Sequence, residues 1–475
     1  MEIITDGTLP FIPEPPEKDS GKGEIGIAVD VGTTTIAINV WSISERKRIA
    51  IVAEENAQAK YGHDIIKRIS FALRKPLHHT EESDSHGESV MHYCIISQLE
   101  KMFQKAVSQA SLSIPRGFNP HIKSIVITGN TTMLSFVCAV PVKNLSQAPF
   151  NAECLFDIES SWKKVREGTV CDNHVELEKP SADIEAVFSS SIIHDDTPVY
   201  FPPCVGAFIG ADTICSMIAA DFPIPGSTSS LYDGSSESAP RMLADIGTNS
   251  ELALYIADSA EMKGRILCTA TAAGPAFEAA NISCGMSAVE GAIDKISLED
   301  GNITVHTIGG MNASGICGSG LVNAIATFFS QNHIEKGGAI IKSKSTLGDG
   351  MACIELTPAV YISQQDIRNL QLAKSAVKTG IEYLLEKSPE TPVLFLAGGF
   401  GTRLQISDAC AINMIPQELA DRVFSIGNAA LAGASAMIFS PSLRTKATEL
   451  RKKSVPINLA AVPEFQNRFL KSIDF

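Results

Sequence analysis

The chain has 475 residues, too many for one compact core, so at least two large lobes are expected. Apolar residues make up 44% and charged residues 19%, an ordinary globular balance that excludes a largely disordered protein. With 39 basic against 53 acidic side chains, a formal net of -14, the surface repels nucleic acid and excludes it as a natural partner.

The first 24 residues, rich in Pro, Glu, Lys and Gly, read as a tail or linker, and nothing in them resembles a secretory signal. No later stretch reaches about 18 uninterrupted apolar residues, so no membrane span and a cytoplasmic location are expected. The first lobe is assigned to residues 25–222. Ile25–Asp30 reads as a buried strand, Val31–Thr35 as a turn and Ile36–Trp41 as an alternating second strand. Helical periodicity follows in Asp64–Leu73 and in Ser89–Leu112, where Ile95, Leu99, Met102, Phe103 and Val107 share a face. Between them Lys75–His86 is a polar loop; its His78, His79 and His86 lack the regular spacing of metal ligands. Ser124–Gly129 is a strand feeding a helix over Asn130–Phe136, capped by Asn130 or Thr131. Residues of about 151–198 show no clear period and read as an insertion of short strands and loops.

Residues 223–240 break the composition with Gly and Ser and read as a mobile loop; the second lobe is assigned to 241–475. Arg241–Asp245 is a strand, Ile246–Asn249 a turn and Glu251–Ile256 another strand, so strand, Asp-x-Gly-Thr turn and strand occur twice. Two glycine-bearing loops, Thr269–Phe277 and Gly315–Leu321, each read as opening a helix. Ser363 caps a long helix to about Lys387 with Ile367, Leu370, Ala373, Val377, Ile381 and Leu384 on its buried side. Val393–Ala397 is a strand running into Gly398-Gly-Phe-Gly401, and an alanine-rich helix covers Gly427–Phe439. Eleven scattered cysteines include no C-x-x-C pair and read mostly as core thiols, outside any disulfide or metal framework.

An apolar strand ending in Asp sets a carboxylate at a sheet edge, where a hydrated magnesium ion offsets its charge. A Gly two positions on lets the backbone approach a phosphate, with Thr hydroxyls and N–H groups as donors. One such turn is ordinary hairpin chemistry. Two copies, at Asp30 and Asp245, are the pattern of two homologous lobes serving one polyphosphate. Gly398, Gly399 and Gly401 offer a side-chain-free surface for an adenosine, although a Gly-Gly turn under a helix would look the same.

With these residues in place, the chain resembles the actin, sugar-kinase and heat-shock ATPase superfamily (ASKHA), and within it the ATPase module of the reductive activators of corrinoid proteins. The likeness rests on Gly26-Ile-Ala-Val-Asp-Val-Gly-Thr-Thr-Thr35, Tyr61-Gly-His-Asp-Ile-Ile-Lys-Arg-Ile69, Gly129-Asn-Thr-Thr-Met133, Ala148-Pro-Phe150 and Gly206-Ala-Phe-Ile-Gly-Ala-Asp212. It continues in Asp245-Ile-Gly-Thr-Asn249, Ala272-Ala-Gly-Pro-Ala-Phe-Glu278, Gly315-Ile-Cys-Gly-Ser-Gly320, Leu370-Gln-Leu-Ala-Lys374 and Gly427-Asn-Ala-Ala-Leu-Ala-Gly433.

The resemblance implies an α/β fold of two ribonuclease-H-like (actin-like ATPase) lobes with a nucleotide cleft between them. It implies ATP and Mg2+ as cofactors, with Asp30 and Asp245 as catalytic residues and magnesium ligands and Asp245 also orienting the attacking water. Gly32, Thr33, Thr34, Gly247, Thr248 and Asn249 would bind phosphates, and Gly398, Gly399 and Gly401 would line the adenosine pocket. Gly274, Gly318, Ser319 and Gly320 would face the nucleotide from the two glycine loops, though close helix packing explains these glycines almost as well.

The implied activity is ATP-driven help in returning a cobalt(II) corrinoid to cobalt(I), in anaerobic one-carbon metabolism. The implied partner is a corrinoid protein or corrinoid-dependent methyltransferase, and relatives suggest a homodimer. Two departures stand out. No cysteine set for an iron–sulfur cluster is present in this chain, so a separate electron donor is expected, and Ser250 stands where similar proteins more often have Gly. Two other readings remain open: a small-molecule kinase with Asp212 as substrate base, and a non-catalytic ATP-dependent clamp on a corrinoid protein.

Overall fold

Ile25, Ile27, Ala28, Val29 and Val31 are all buried, a continuous run suited to a strand covered on both faces, and they form β1 (Glu24–Val31). The computed structural model describes residues 6–10, 12, 23–74, 86–114, 117–224, 240–257, 264–341, 345–346 and 350–475. Most of the expected tail, the stretch 75–85 with His78 and His79, and 225–239 of the expected loop lie outside the described residues. His86 is described; it opens a helix and its Nδ1 lies 2.9 Å from the Glu178 carboxylate.

The Gly32 N–H donates to the Thr35 carbonyl at 2.9 Å and turns β1 into β2 (Thr35–Ser42), antiparallel, with Asp30 opposite Ala37. β3 (Lys47–Glu55) pairs antiparallel with β2. α1 (Ile65–Ala72) starts at Asp64, whose side chain accepts from the Lys67 N–H at 2.8 Å, and α2 (His86–Ser111) follows. β4 (His121–Gly129) then returns parallel to β1. α3 (Thr131–Val137) is capped by Asn130, which accepts from the Met133 N–H at 3.0 Å. β5 (Ile158–Ser161), α4 (Trp162–Arg166), α5 (Ala182–Ser189), β6 (Pro198–Phe201) and α6 (Ala211–Ala219) complete this run, giving the sheet order β3-β2-β1-β4-β6-β5.

The stretch 151–198 holds one edge strand, β5, antiparallel to β6, and two short helices. Their shortness hides any period: α4 has five residues and no residue of α5 is buried. The anchor is Trp162, fully buried, whose indole N–H donates to Glu100 Oε1 at 2.8 Å and whose ring meets Phe103 edge-on.

The second run repeats the first. β7 (Arg241–Ile246), β8 (Ser250–Ile256) and β9 (Arg265–Thr271) form an antiparallel meander. β10 (Ala292–Glu299), β11 (Asn302–Thr307), β12 (Gly315–Ile316) and α7 (Gly318–Ser330) follow. Next come β13 (Ser345–Thr346), β14 (Ala352–Thr357), β15 (Val360–Ser363) and α8 (Gln364–Leu385). β16 (Val393–Ala397), α9 (Gly398–Arg403), β17 (Val423–Gly427) and β18 (Ser454–Ile457) close the set. The main sheet runs β17-β16-β7-β8-β9-β18, so the order β6-β4-β1-β2-β3 of the first sheet recurs as β17-β16-β7-β8-β9. Two three-stranded sheets, β11-β10-β12 and β13-β14-β15, are additions that alternation alone did not reveal.

Two compact units result. One holds the described residues up to 224 together with Asn428–Ser454; the other holds those from 240 to Gly427 with Val455–Phe475. The expected second lobe was contiguous over 241–475, whereas the helices Ala429–Phe439 and Pro441–Lys453 pack with the amino-terminal unit. The Gly433 Cα lies so close to the Cys215 carbonyl of α6 that a Cβ would come within 2.1 Å of its oxygen, and Lys446 pairs with Asp221 at 3.0 Å. Residues 429–437 are buried all round, so the helix has no polar face from which its neighbours could be read. Among the described residues no helix is long and apolar enough to cross a membrane.

α8 begins with a reciprocal cap: Ser363 Oγ accepts from the Asp366 N–H at 3.2 Å and Asp366 Oδ2 from the Ser363 N–H at 2.8 Å. Its face of Ile367, Leu370, Ala373, Val377, Ile381 and Leu384 is fully buried. So is Lys374, whose Nζ donates to the Asp474 carbonyl; burial, with a smaller push from Lys378, lowers its pKa to about 7. The folded state therefore penalises the charged lysine fully below about 7 and less as pH rises towards its ordinary 10.5. Between those values the wild type should gain stability relative to Lys374→Met by up to ~1.4 kcal/mol per pH unit, the limit for one proton. Urea unfolding of both proteins across this range would measure it, and parallel curves would show that Lys374 does not titrate there.

Candidate nucleotide site

In the amino-terminal unit Asp30 lies near the end of β1, in register with Thr128 of β4. Asn428 Nδ2 donates to Asp30 Oδ2 at 3.3 Å, while Asn428 Oδ1 caps the Ala429–Phe439 helix, accepting from the Leu431 N–H at 2.9 Å. The turn after Asp30 is held by side chains from three other segments. Asn56 Nδ2 donates to the Gly32 carbonyl at 2.8 Å, Arg68 Nη2 to the Thr33 carbonyl at 2.6 Å and Asn130 Nδ2 to the Thr33 hydroxyl at 3.1 Å. The Asn56 N–H also donates to the Thr34 carbonyl at 2.9 Å. Gly32, Thr33 and Thr34 thus form a fixed loop, secured by residues to which sequence reasoning gave no part in the site. Arg68, Asn130 and Asn428 lay within the family-like segments, and Asn130 was also read as a helix cap.

Asp212 stands in the first turn of α6. Gly210 before it is pressed against the end of β4, where a Cβ would come within 2.4 Å of Asn130 Cα. Asp212 Oδ1 accepts from the Thr213 N–H at 2.7 Å, and burial lifts its carboxyl to about 6. Burial and then the Asp212 and Asp30 carboxylates push up the Cys215 thiol, so both acids act on one group. Asp30 thus lies at the carboxyl end of β1, while Asn130 and Asp212 come after the carboxyl ends of the parallel strands β4 and β6, where open α/β sheets bind ligands.

In the carboxy-terminal unit Asp245 lies near the end of β7, opposite Glu251 of β8 and Ala397 of β16. The Gly247 N–H closes the turn on the Asn249 carbonyl at 3.1 Å. Glu278 Oε1 accepts from both the Thr248 N–H at 3.1 Å and the Thr248 hydroxyl at 2.8 Å, and the Gly274 N–H donates to the Thr248 carbonyl at 2.8 Å. Gly398, at φ +85°, sits beside the acid: a Cβ there would lie 2.8 Å from Asp245 Oδ1. Asp245, Gly247, Thr248, Asn249, Gly274 and Gly398 are thus brought together, with Glu278 as the organiser that the sequence reading missed.

Other residues of the expected set have different surroundings. Gly399 is exposed in α9, and Gly401 is buried against Leu396. Gly318 and Gly320 are buried where a Cβ would come within 1.9 Å of the Phe277 carbonyl oxygen and 2.1 Å of the Ile293 carbonyl oxygen, so backbone packing demands both. Ser319 is buried between them, its hydroxyl 3.3 Å from Cys317 Sγ. Ser250 is fully buried in β8, its hydroxyl without a hydrogen-bond partner among the described residues. One expectation is corrected: Thr269–Phe277 does not open an α-helix. It ends β9 and passes into a single 3-10 turn, Pro275–Glu278, stopped by Ala279 in the left-handed region.

The residues of each unit, taken by itself, are of the kind that fit magnesium and a phosphate. Among the described residues no cluster of three or more His, Cys, Asp or Glu could cage an ion, yet each unit sets one partly exposed carboxylate at a glycine-bearing turn. Mg2+ is commonly held by one or two carboxylates, waters and the substrate's own phosphates. Among the described residues nothing lies within 4 Å of a Cβ placed on Gly274, so they leave one side of the carboxy-terminal turn open.

Residues 25–166 match the model of the RACo middle region, and residues 239–475 match that of the C-terminal domain of RACo, the ASKHA domain. The corrinoid activation enzyme RamQ of Eubacterium limosum is 27% identical over 502 aligned residues, covering 100% of this chain and 74% of RamQ. The [Co(II) methylated amine-specific corrinoid protein] reductase of Methanosarcina barkeri is 23% identical over 483 residues, covering 95% of this chain and 77% of the reductase. The solved reductive activator for corrinoid, iron–sulfur protein shares the fold with a TM-score of 0.75, at 24% identity, over 96% of this chain and 67% of its own. The chain belongs to the RACo family, of which it carries the middle region followed by the C-terminal ASKHA domain.

Proposed function

We propose that this protein is an ATP-hydrolysing activator that assists reduction of a corrinoid protein from cobalt(II) to cobalt(I). The supporting observation is the repeated β-meander whose first strand carries an acid at a pinned Gly-Thr turn, in a chain whose curated relatives are named for corrinoid activation and corrinoid-protein reduction. Asp30 and Asp245 would hold Mg2+, which when bound neutralises charge on the transferring phosphoryl group. Gly32, Thr33, Thr34, Gly247, Thr248 and Asn249 bind the phosphates, Asp245 orients the water, and Gly398 leaves room for the nucleotide beside that acid. Glu278 keeps the Thr248 backbone and hydroxyl in place.

Positioning and charge neutralisation suffice for hydrolysis, and no covalent nucleophile is needed. Moving a two-state equilibrium from 1:99 to 99:1 takes about 5.5 kcal/mol, equivalent to ~240 mV for one electron. A nucleotide-driven conformational change is therefore of the right size to assist a difficult one-electron reduction. The test combines the purified protein, MgATP, an artificial reductant and a cobalt(II) corrinoid protein. Cobalt(I) formation that requires both this protein and ATP is expected. ATP consumed with a phosphorylated small molecule as product would replace this reading by a kinase, and ATP-dependent complex formation without phosphate release would replace it by a clamp.

A further inference from the structure

Arg68 is fully buried in α1. Its Nε donates to the Gly62 carbonyl at 2.8 Å and its Nη2 to the Thr33 carbonyl at 2.6 Å, while Nη1 faces Gln58 Oε1 at 3.5 Å and Met133 Sδ at 3.3 Å. None of these partners is anionic. Asp64, whose field favours the charged guanidinium, caps α1 and pairs with Lys67 at 3.2 Å. Burial lowers the Arg68 pKa only to about 10, so the group stays charged at neutral pH. A buried cation without a close counterion among the described residues is costly, and such costs persist where a ligand or a function offsets them.

Its position shows what that ligand would be. The Gly32 carbonyl is drawn to Asn56 and the Thr33 carbonyl to Arg68. In a planar trans peptide the N–H points opposite the carbonyl, so the Thr33 and Thr34 N–H groups are turned away from those anchors. Successive N–H groups that converge are an anion-binding arrangement, and here the Arg68 charge stands behind one of the two peptides.

We infer that Arg68 is a positioning residue of the Gly32–Thr34 turn and that the counterion to its buried charge is the polyphosphate of a nucleotide. This rests on the proposal that the turn binds ATP, and goes beyond it by giving the turn's orientation and positive field to one side chain. Arg68 touches no reacting atom; it acts through the Thr33 peptide and through space.

Calorimetric titration of the full chain with MgATP and with adenosine tests the inference. Arg68→Ala should raise the Kd for MgATP by roughly 10–100-fold, the scale of a lost charge-assisted contact, and leave adenosine within about twofold. Millimolar guanidinium added to that variant should restore ATP affinity, whereas urea, of similar shape but neutral, should not. If Arg68→Ala does not fold, Arg68→Met, which fills the space without charge, carries the same titrations. Wild-type ATP affinity in either folded variant overturns the inference, as does parallel weakening of ATP and adenosine, or equal rescue by urea. Absence of ATP binding by the wild type would instead remove the nucleotide reading itself.

Discussion

Asp245→Ala is expected to slow ATP hydrolysis by about 100–1,000-fold while ATP binding stays within about tenfold, the pattern of a group needed more in the transition state than in the ground state. The substitution suits the fold. Asp245 is partly exposed near the end of β7, its backbone is fixed by register with Glu251 and Ala397, and alanine asks nothing new of that strand. The neighbouring Gly398 already leaves space at the carboxylate, so no cavity opens in the core. Asp245→Asn separates charge from shape: if the carboxylate acts through magnesium and the oriented water, the amide should be almost as damaging. Phosphate release in single turnover, measured beside calorimetric ATP affinity, checks both variants. Unchanged turnover in Asp245→Ala would remove this acid from the mechanism and leave the carboxy-terminal turn as an ordinary hairpin.

Both hairpins were legible because local rules agree there. Each opens with a strand buried on both faces, turns through an acid and a glycine, and returns with a second strand, all within about twenty residues of chain. The long helix α8 was legible for the same reason, since Ser363 and Asp366 cap it locally and its apolar face repeats regularly. The residues that hold the turns were not legible as such. Asn428 reaches Asp30 from the far end of the chain, Asn130 and Arg68 reach Thr33 from α3 and α1, and Glu278 reaches Thr248 from beyond β9. No periodicity encodes such pairs; they appear only once the sheet order is known. The helix Ala429–Phe439 shows the limit from the other side: buried all round, it gave no pattern to assign it to the amino-terminal unit. The glycines of α7 were ambiguous because a phosphate and a neighbouring backbone both require a missing side chain.

That ambiguity makes a sharp experiment of Gly318→Ala, expected to lower stability by about 1–3 kcal/mol and to weaken ATP binding as well. A Cβ at Gly318 would come within 1.9 Å of the Phe277 carbonyl oxygen and 2.7 Å of its carbon, so the Pro275–Glu278 turn must move. Glu278 is the next residue, and its carboxylate holds both the N–H and the hydroxyl of Thr248. Packing damage at Gly318 should therefore reach the phosphate turn. Gly320→Ala is the control, because its Cβ would come within 2.1 Å of the Ile293 carbonyl oxygen in β10, away from Glu278. Both variants should lose stability in urea unfolding, but only Gly318→Ala should lose ATP affinity. Equal affinity in the two would confine these glycines to packing, and wild-type stability in both would show that the backbone contacts around α7 yield more easily than their distances imply.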